Sequence, residues 1–359
     1  MTATPGQPSP PLPRVPRPIV IIGAGGIVRD AHLPAYRLAG FPVHGVYDQD
    51  RGKAAALAAA AGIPRVFDSL ADAVAAAPAN AVFDLAVPAA ALREVLPALP
   101  DGAAVLLQKP FGQDLAEAKL LLESCRRKKL RAAVNFQLRF APYILVARQL
   151  IEAGAIGDVH DIDVRVTVYM PWQLWTFLEG LPRVEILYHS IHYIDLIRSF
   201  LGEPTGVLAR TTRHPRAPQL ASARSVIALD YGESVRATIT TNHGHDFGPR
   251  HQESYVKWEG TRGAIKARLG LLLDYPRGAP DGLEICTIDE QGRAGDWRDV
   301  PFSGSWYPHA FIGTMASVMR FADGESDALP TGADDAHRTM AVVEAAYLAN
   351  TRSPEPIPS

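Results

Sequence analysis

The sequence predicts an α/β protein of two domains, a doubly wound parallel sheet followed by an α+β domain with a large, mainly antiparallel sheet. Three observations support this fold class. A chain of 359 residues exceeds what one hydrophobic core usually covers. The first half alternates short apolar runs with alanine-rich amphipathic stretches, which is typical of strands alternating with helices. After about residue 140, predicted strands follow one another with little helix between them, as in an antiparallel sheet.

In the first half, apolar runs of strand length alternate with longer segments of helical periodicity. Strands are predicted in "PIVIIGAG", "PVHGVYD", "AVFDLAV", "AAVLLQKP" and "RAAVNF". Helices are predicted in "RDAHLPAYRLAG", "GKAAALAAAAG", "ALREVLPAL" and "DLAEAKLLLESCRRKK". Strand–helix alternation with short links indicates parallel strands with helices on both faces.

The second half begins with a predicted helix, "PYILVARQLIEAG", and a half-buried strand, "HDIDVRVTVYM". A helix near residues 185–201 comes next. Further strands are predicted in "VLARTTRH", "ARSVIALDYG", "SVRATITTNH", "ESYVKWEGTRG" and "AIKARLG", and two helices in "HAFIGTMASVMRFADG" and "DDAHRTMAVVEAAYLAN". We therefore place a disordered proline-rich leader at 1–16, a nucleotide-binding domain at 17–138 and an α+β domain at 139–359.

Charge and cysteine content exclude several classes of protein. The net charge of −2 gives no electrostatic case for binding nucleic acid or an anionic membrane. No apolar run reaches the roughly 18 residues that a membrane span needs. Cys125 and Cys286 lie far apart, so neither a disulfide framework nor a cysteine zinc site is expected. A soluble protein of the reducing cytoplasm fits this composition.

A glycine-rich loop, "VIIGAGGIVRDAHLPAY", lies between the first predicted strand and the first helix. Gly23 permits the tight turn, and Gly25 allows a pyrophosphate to approach the backbone. Gly26 and Ile27 open the helix, where N–H groups attract phosphate. Asp48 ends the second strand twenty residues after Val28, the spacing of an acid that binds the adenosine ribose.

This loop and the acid after it predict a dinucleotide cofactor bound to a Rossmann domain. Asp48 repels a 2′-phosphate, so NAD is preferred, and Arg51 close behind keeps NADP possible. Val28 replaces the usual third Gly or Ala of the loop.

Further segments, in the same order along the chain, resemble the Gfo/Idh/MocA oxidoreductases, which include inositol and sugar dehydrogenases. They are "IIGAGGIVRDAHLPAY", "GVYDQDRGKAAALA", "LQKPFGQDLAEAKLL", "VNFQLRFAPYILVARQLIEAGAIGDV", "IHYIDLIRSFLGEP" and "WEGTRGAI". The resemblance implies NAD(P)-dependent hydride transfer at a carbinol carbon of a polyol or sugar. It also implies a homodimer or homotetramer that assembles through the sheet of the C-terminal domain.

The resemblance places several residues near the nicotinamide. The family's Glu-Lys-Pro element is here Gln108-Lys109-Pro110. The ammonium of Lys109 would hold the substrate oxygen and stabilise its alkoxide character as hydride leaves. Because the preceding glutamate is missing, we expect a lowered pKa for Lys109. Pro88 matches a cofactor-lining proline, but Leu92 stands where the family usually has histidine.

Asn135 and Arg139 match an "N…R" pair that follows the last strand of the nucleotide-binding domain. The resemblance implies that they bind substrate, although either residue could equally brace the domain junction. Trp175 belongs to an aromatic segment, "YMPWQLWTFLEGLPRVE", that suits the face of a sugar. Core packing and an oligomer contact are equally good explanations of this segment.

The stretch "EILYHSIHYIDLIR", residues 185–198, carries the candidate acid/base group. Leu187, Ile191, Ile194, Ile197 and Leu201 recur at helical spacing and predict a buried stripe. A second, polar face contains Glu185, Tyr188, His189 and His192. His192 matches the family's catalytic histidine and titrates near neutrality. Tyr188 stands where the family has aspartate, and His189 is expected to bind substrate.

Other interpretations of the same residues remain open. Glu185, His189 and His192 have a spacing that could gather metal ligands, but the pattern lacks H-E-x-x-H and we expect no metal. His243, His245 and His251 end another strand and could reach the substrate pocket. A tightly held cofactor could serve transient oxidation followed by elimination of a glycosidic group. A non-catalytic sugar or nucleotide sensor is a further alternative.

Overall fold

The computed structural model describes residues 9–353 and 355–358, which form two compact units. The first unit runs to Leu145 and includes Ser303–Met340. The second contains Val146–Phe302 and the chain from Ala341 onward. In the part of the chain that the structure describes, no helix is long and apolar enough to cross a membrane.

The proline-rich leader predicted at residues 1–16 is only partly covered. Residues 1–8 lie outside the described residues. Residues 9–16 form neither helix nor strand. Pro13 is buried, and the backbone N–H of Arg14 donates to the carboxylate of Glu325. The end of this segment is therefore attached to the first unit.

The first unit contains a parallel sheet, as its sequence predicts. Its strands are β1 (Ile19–Ile22), β2 (Val43–Tyr47), β3 (Val82–Leu85), β4 (Ala104–Leu107) and β5 (Arg131–Val134). The strand order is β2-β1-β3-β4-β5, and every pair is parallel. Strands β1, β3 and β4 are buried at every residue, which is why they read as continuous apolar runs. The chain leaves β1 for β2 on one side and crosses to β3 on the other, which gives the doubly wound order.

Helices connect these strands. They are α1 (Leu33–Ala39), α2 (Arg51–Ala61), α3 (Leu70–Ala75), α4 (Leu92–Ala98) and α5 (Leu115–Arg127). The sequence-based prediction omitted α3, although Ser69 caps it by accepting a hydrogen bond from the N–H of Asp72. A capping residue followed by an acidic first turn is a helix-start signal that was available in the sequence.

Helix α1 begins with a wider turn than the sequence predicts. Residues Val28–His32 are π-helical, and the N–H of Leu33 donates to the carbonyl of Val28, five residues back. Pro34 follows immediately. Because proline has no N–H and its ring crowds the carbonyl four residues earlier, regular α-helical bonding cannot pass through this position. The π turn places His32 inside the core, where it is 0% exposed.

The helix α8 (Ala310–Ala322) belongs to the first unit, although the sequence-based boundaries place it in the second domain. Two contacts explain its place. Phe311 packs on the ring of His32 with 5.2 Å between ring centroids. Gly313 lies so close to Phe140 that a Cβ at Gly313 would be 2.4 Å from the Phe140 ring. Long-range packing of this kind leaves no local mark in the sequence.

The second unit contains a mixed, mainly antiparallel sheet of eight strands in the order β13-β12-β11-β10-β6-β9-β8-β7. The strands are β6 (Val159–Thr167), β7 (Gly206–Thr212), β8 (Arg224–Asp230), β9 (Arg236–Asn242), β10 (Glu253–Gly260), β11 (Gly263–Arg268), β12 (Gly282–Thr287) and β13 (Arg298–Asp299). Strands β6 and β9 pair in parallel, and the other pairs of this sheet are antiparallel. The sequence-based prediction did not identify β12 or β13.

Alternate residues of the second sheet face a core and an open surface. Ile162, Val164 and Val166 of β6 are fully buried. On the opposite face, Leu208 of β7 and Val226 of β8 are 73% and 56% exposed. This alternation is the period-2 pattern from which the strands were predicted. Helices α6 (Pro142–Glu152), α7 (Ile191–Leu201) and α9 (Ala333–Thr351) complete the described elements.

Candidate functional site

The turn after β1 requires glycine at position 23. Gly23 has φ of +107°, and a Cβ there would be 2.4 Å from the carbonyl oxygen of Ala86. Its N–H donates to the carbonyl of Tyr47 at the end of β2. The loop thus passes tightly over the carboxyl ends of neighbouring strands, where open α/β sheets bind their ligands.

Gly25 has a different environment from Gly23. A Cβ at Gly25 would meet no described atom of the protein within 4 Å, so packing among the described residues does not require glycine at that position. The residues after it, Gly26 and Ile27, open the helical segment, where N–H groups have no acceptor within the helix. An open backbone next to free N–H groups fits the approach of a pyrophosphate.

Asp48 lies immediately after β2 with both carboxylate oxygens engaged. Oδ2 accepts from the N–H of Ala24 at 2.7 Å, and Oδ1 accepts from the N–H of Asp50 at 2.8 Å. Each oxygen keeps a second lone pair, so the half-buried carboxylate is able to accept ribose hydroxyls as well. Arg51, which could have favoured NADP, forms an exposed ion pair with Asp68. The residues of this loop therefore fit NAD.

Pro88 and Leu92 follow β3 and differ in exposure. Pro88 is exposed at the start of a short 3₁₀ turn, where a ligand can reach it. Leu92 begins α4 and is 0% exposed. The position at which the resembling family usually has histidine is therefore part of the core in this protein.

Lys109 follows β4 next to Gln108, whose side-chain oxygen accepts from the N–H of Lys109 at 3.1 Å. Burial lowers the pKa of the Lys109 amine to about 8. A lowered pKa was expected from the missing glutamate, but the physical cause is removal of the ammonium from water. An amine that titrates near neutral pH can both accept and donate a proton.

Asn135 is 0% exposed and braces the core of the first unit. Its Nδ2 donates to Nε2 of His32 at 3.2 Å, and its Oδ1 accepts from the hydroxyl of Thr314 at 2.8 Å. Nδ1 of His32 in turn donates to Asp84, which also accepts from the hydroxyl of Tyr36. Because Asn135 is fully buried and both ends of its amide are engaged, its contacts favour the bracing alternative over contact with substrate.

Arg139 has a similar bracing role. Its guanidinium donates to the carbonyl of Pro330 at 2.9 Å and to the carboxylate of Asp335 at 2.6 Å. Its side chain is 10% exposed. These contacts attach the 3₁₀ turn after β5 to Pro330 and to the first turn of α9, so a bracing role fits Arg139 better than the predicted contact with substrate.

The predicted site helix contains a second π turn. Residues Ile186–Ser190 are π-helical, and the N–H of Ile191 donates to the carbonyl of Ile186. The extra residue in this turn departs from regular α-helical spacing. Glu185 and His189 nevertheless both lie against the ring of His243, whereas His192 lies in the buried helix that follows. π turns occur frequently at functional sites.

Burial along this helix also differs from the prediction of one buried stripe. Residues from Ile191 to Arg198 are all buried, including His192 at 8% exposure. Tyr188 and His189 are half-buried, and Tyr188 contacts the ring of Phe177 with 5.9 Å between ring centroids. A helix buried on nearly all sides is a core element, and the candidates Tyr188 and His189 are the half-buried residues of the π turn that precedes it.

Glu185 is fully buried and faces the core. Its carboxylate accepts from the hydroxyl of Ser190 at 2.8 and 3.0 Å and from Nε2 of His243 at 3.3 Å. Burial alone raises the pKa of Glu185, but the hydrogen bond and charge of His243, with the hydroxyls of Ser225 and Ser190, lower the net pKa below its usual value. The carboxylate is thus kept ionised in the interior.

An aromatic group surrounds His189. The ring of His243 lies 4.5 Å from that of His189, centroid to centroid, and Trp172 meets His189 edge-on at 5.3 Å. Trp175 lies elsewhere, 5.7 Å from the ring of Tyr275. Sequence reasoning noted His243 as a residue that could reach the pocket but did not connect it with Glu185 or His189.

The remaining candidate residues lie in two different units. Gly23, Asp48 and Lys109 belong to the first unit. Tyr188 and His192 belong to the second. Among residues 9–353 and 355–358, no group of three or more His, Cys, Asp and Glu side chains is placed to hold a metal ion.

Two family models match the chain. A model described as an oxidoreductase family with an NAD-binding Rossmann fold matches residues 17–136, which include all five parallel strands. A model described as the GFO/IDH/MocA C-terminal domain matches residues 144–266, from α6 into β11. The two matches follow each other in the order of the two sheets.

Individual relatives extend these matches. A D-apiose dehydrogenase of Paraburkholderia graminis is 25% identical over 342 residues, which cover 91% of this chain and 86% of that protein. The scyllo-inositol 2-dehydrogenase (NAD(+)) of Bacillus subtilis is 29% identical over 168 residues, which cover 42% of this chain and 46% of that protein.

Solved structures share the fold. An oxidoreductase from Agrobacterium radiobacter, crystallised in complex with NAD+, L-tartaric acid and magnesium, superposes with a TM-score of 0.77. It is 21% identical in sequence, and the match covers 94% of this chain and 96% of that one. At this identity the likeness is one of fold.

Proposed function

Because the chain belongs to the GFO/IDH/MocA family of oxidoreductases, we propose that it is an NAD-dependent dehydrogenase of a sugar, inositol or related polyol. Hydride passes between the nicotinamide and a carbinol carbon, and the same enzyme is a carbonyl reductase in the reverse direction. The names of two relatives, D-apiose dehydrogenase and scyllo-inositol 2-dehydrogenase (NAD(+)), support this substrate class.

The observation that carries the proposal is the state of Lys109. Its amine follows a central strand of the NAD-binding sheet, and burial lowers its pKa to about 8. Oxidation of an alcohol releases a proton together with the hydride, so it needs a group that accepts a proton near neutral pH. An ammonium in the same place stabilises the developing alkoxide.

The cofactor-binding residues have separate tasks. Gly25, Gly26 and Ile27 hold the pyrophosphate, Asp48 binds the adenosine ribose, and Pro88 and Gln108 line the nicotinamide end. NAD, when bound, supplies the hydride acceptor. The carboxylate of Asp48 supports NAD over NADP because it repels a 2′-phosphate.

The family resemblance also supports roles for two residues of the second unit. His192 serves as an acid/base group, since imidazole exchanges protons near neutral pH. Tyr188 donates a hydrogen bond to a substrate oxygen, because a phenol stays protonated at neutral pH. His189 and Trp175 bind the polyol.

A substrate panel tests the proposal. The purified protein is incubated with NAD or NADP and with D-apiose, myo-inositol or scyllo-inositol, and formation of reduced cofactor is followed by absorbance. We expect turnover with NAD on at least one compound. Lys109→Met and His192→Ala should each lower kcat/KM by at least about a hundred-fold, within the range for acid–base groups.

The matched control is Lys119→Met, which removes an exposed lysine from α5 in the same unit. It should leave kcat/KM unchanged. Equal turnover by wild type, Lys109→Met and His192→Ala would show that the acid/base assignment is wrong.

We further propose that the chain assembles with itself through the open face of the second sheet. Leu208 of β7 and Val226 of β8 are exposed apolar residues on that face and are diagonal neighbours, since Leu208 pairs with Ala228 and Val226 with Arg210. Light scattering after size-exclusion chromatography should give the mass of a dimer or tetramer, and Leu208→Asp with Val226→Asp should give a monomer. A wild-type mass equal to one chain would exclude this assembly.

A further inference from the structure

The carboxyl ends of β6 and β9 meet at one edge of the second sheet because these two strands are parallel. Backbone pairing continues past both strands. The N–H of Val168 donates to the backbone carbonyl of Asn242 at 2.9 Å, and the N–H of Met170 donates to the backbone carbonyl of His243 at 3.2 Å. His243 therefore has a fixed backbone position next to the segment that carries Trp172.

A buried carboxylate fixes the ring of His243. Nε2 of His243 faces Oε1 of Glu185 at 3.3 Å, and both side chains are essentially inaccessible to water. Glu185 is held in turn by Ser190, whose hydroxyl lies 3.3 Å from that of Ser225. Thr241 extends the network. Its hydroxyl oxygen accepts from the N–H of Ser225 and also shares a hydrogen bond with the hydroxyl of Ser225. A buried charge with several hydrogen bonds orients its partner strongly.

The fixed imidazole forms a platform for His189. The two rings lie 4.5 Å apart with an angle of 41° between their planes. Trp172 closes the group by meeting both rings edge-on, at 5.3 Å from His189 and 6.0 Å from His243. His243 is 1% exposed, whereas His189 is half-buried at the π turn. In this group, the buried ring of His243 therefore supports the partly exposed ring of His189.

We propose that Glu185 and His243 are positioning residues that hold the imidazole of His189 in one orientation toward a hydroxyl of the polyol substrate. The proposal rests on the proposed function, in which His189 binds substrate. A ring held by a stack and a carboxylate-backed neighbour loses little conformational freedom when it forms a hydrogen bond. Neither Glu185 nor His243 touches substrate in this arrangement.

The ring signals of His189 test the orientation without any substrate. Protein labelled with 13C and 15N in histidine gives separate imidazole signals by NMR, and those of His189 are assigned from their loss in His189→Gln. In the wild type, the His189 signals should be narrow and shifted by the neighbouring rings. In His243→Ala the platform is missing, so these signals should broaden or move toward values of a free histidine.

Two further variants separate positioning from stability. His243→Phe keeps an aromatic platform and should keep the His189 shifts. Glu185→Gln removes the charge that orients His243 but is nearly the same shape, so it should broaden both histidine signals. Thr241→Val is the matched control. It disrupts the same buried network at Ser225 and should lower the melting temperature while the His189 signals stay at their wild-type positions.

Activity provides the second readout. With the polyol that the wild type oxidises, His243→Ala and Glu185→Gln should lower kcat/KM by at least about ten-fold, because misplacing a group that positions substrate slows the reaction. His243→Phe should recover most of this loss. Wild-type His189 signals in both His243→Ala and Glu185→Gln would overturn the proposal. A wild type without turnover, but with the expected signals, would overturn only the proposed function.

Discussion

Lys109 combines two properties that oppose each other, a charge and a half-buried location. Burial lowers the pKa of its amine to about 8, so a proton can be exchanged near neutral pH. The same burial means that the folded state holds an ammonium away from water, which costs free energy. Function and stability should therefore respond in opposite directions when this residue is replaced.

The pH dependence of turnover should report Lys109. Oxidation requires the neutral amine, so kcat/KM should rise with pH and level off above about 8. Reduction requires the ammonium, so kcat/KM in that direction should fall above the same pH. Lys109→Arg keeps the charge but cannot lose its proton, and it should remove this dependence. Identical pH profiles of wild type and Lys109→Arg would rule out Lys109 as the titrating group.

Lys109→Met should make the protein more stable. A pKa lowered from 10.5 to about 8 corresponds to at most about 3 kcal/mol of unfolding free energy at neutral pH, because the half-buried side chain keeps some contact with water. Below pH 8 the lysine is protonated in both states and the full cost is present. Between pH 8 and 10.5 the unfolded state binds more protons, so the wild type gains stability and the difference shrinks.

Denaturant unfolding of wild type and Lys109→Met at several pH values measures this difference. Lys119→Met, at an exposed position, supplies the control and should show no stabilisation. A Lys109→Met variant less stable than wild type at pH 7 would show that the contacts of the lysine contribute more to folding than the burial of its charge costs.

At the scale of elements, the loop between β1 and α1 separates two uses of glycine. Gly23→Ala should destabilise the fold by at least about 2 kcal/mol, because its φ is +107° and the new Cβ would approach the carbonyl of Ala86. Gly25→Ala adds a methyl group to open space and should leave the melting temperature unchanged. It should nevertheless weaken NAD binding, because a pyrophosphate needs that space.

Calorimetric titration with NAD, together with thermal unfolding, distinguishes the two glycine variants. Gly25→Ala should lose NAD affinity without losing stability. Unchanged NAD affinity in Gly25→Ala would mean that the cofactor does not approach the backbone at this position.

The buried network around Asn135 links three elements of the first unit, the start of α1, the end of β5 and α8. Asn135→Ala leaves Nε2 of His32 and the hydroxyl of Thr314 without their partner. We expect a loss of about 2 kcal/mol or more in unfolding free energy, since buried polar groups lose their hydrogen bonds. The KM for substrate should change little. A stable variant with a strongly raised KM would restore the earlier expectation that Asn135 binds substrate.

At the scale of the whole molecule, local patterns in the sequence predict most of the fold. The five parallel strands were predictable because buried strands are continuous apolar runs, and the second sheet because β6 to β11 alternate with period 2. The position of α8 in the first unit was not predictable. It depends on contacts such as Phe311 with His32, which join residues far apart in the chain.

The candidate site was predictable to a smaller extent. The glycine loop, Asp48 and Lys109 carry short motifs, whereas the partners of Asn135 and Glu185 come from distant segments. The π turns at Val28–His32 and Ile186–Ser190 were also not predictable, because helical spacing assumes a regular α-helix. The pair of Glu185 and His243 therefore appears only in the folded chain.

The measurement that tests the central claim most directly is the amount of NADH formed per molecule of polyol consumed. The wild type is incubated with excess NAD and the best substrate of the panel. The two products, NADH and the oxidised polyol, are quantified at several times. A dehydrogenase should form one NADH for each polyol oxidised, and Lys109→Met should form neither product at a measurable rate. Consumption of substrate without net NADH would contradict the account and indicate a cofactor that is reduced and reoxidised within one turnover.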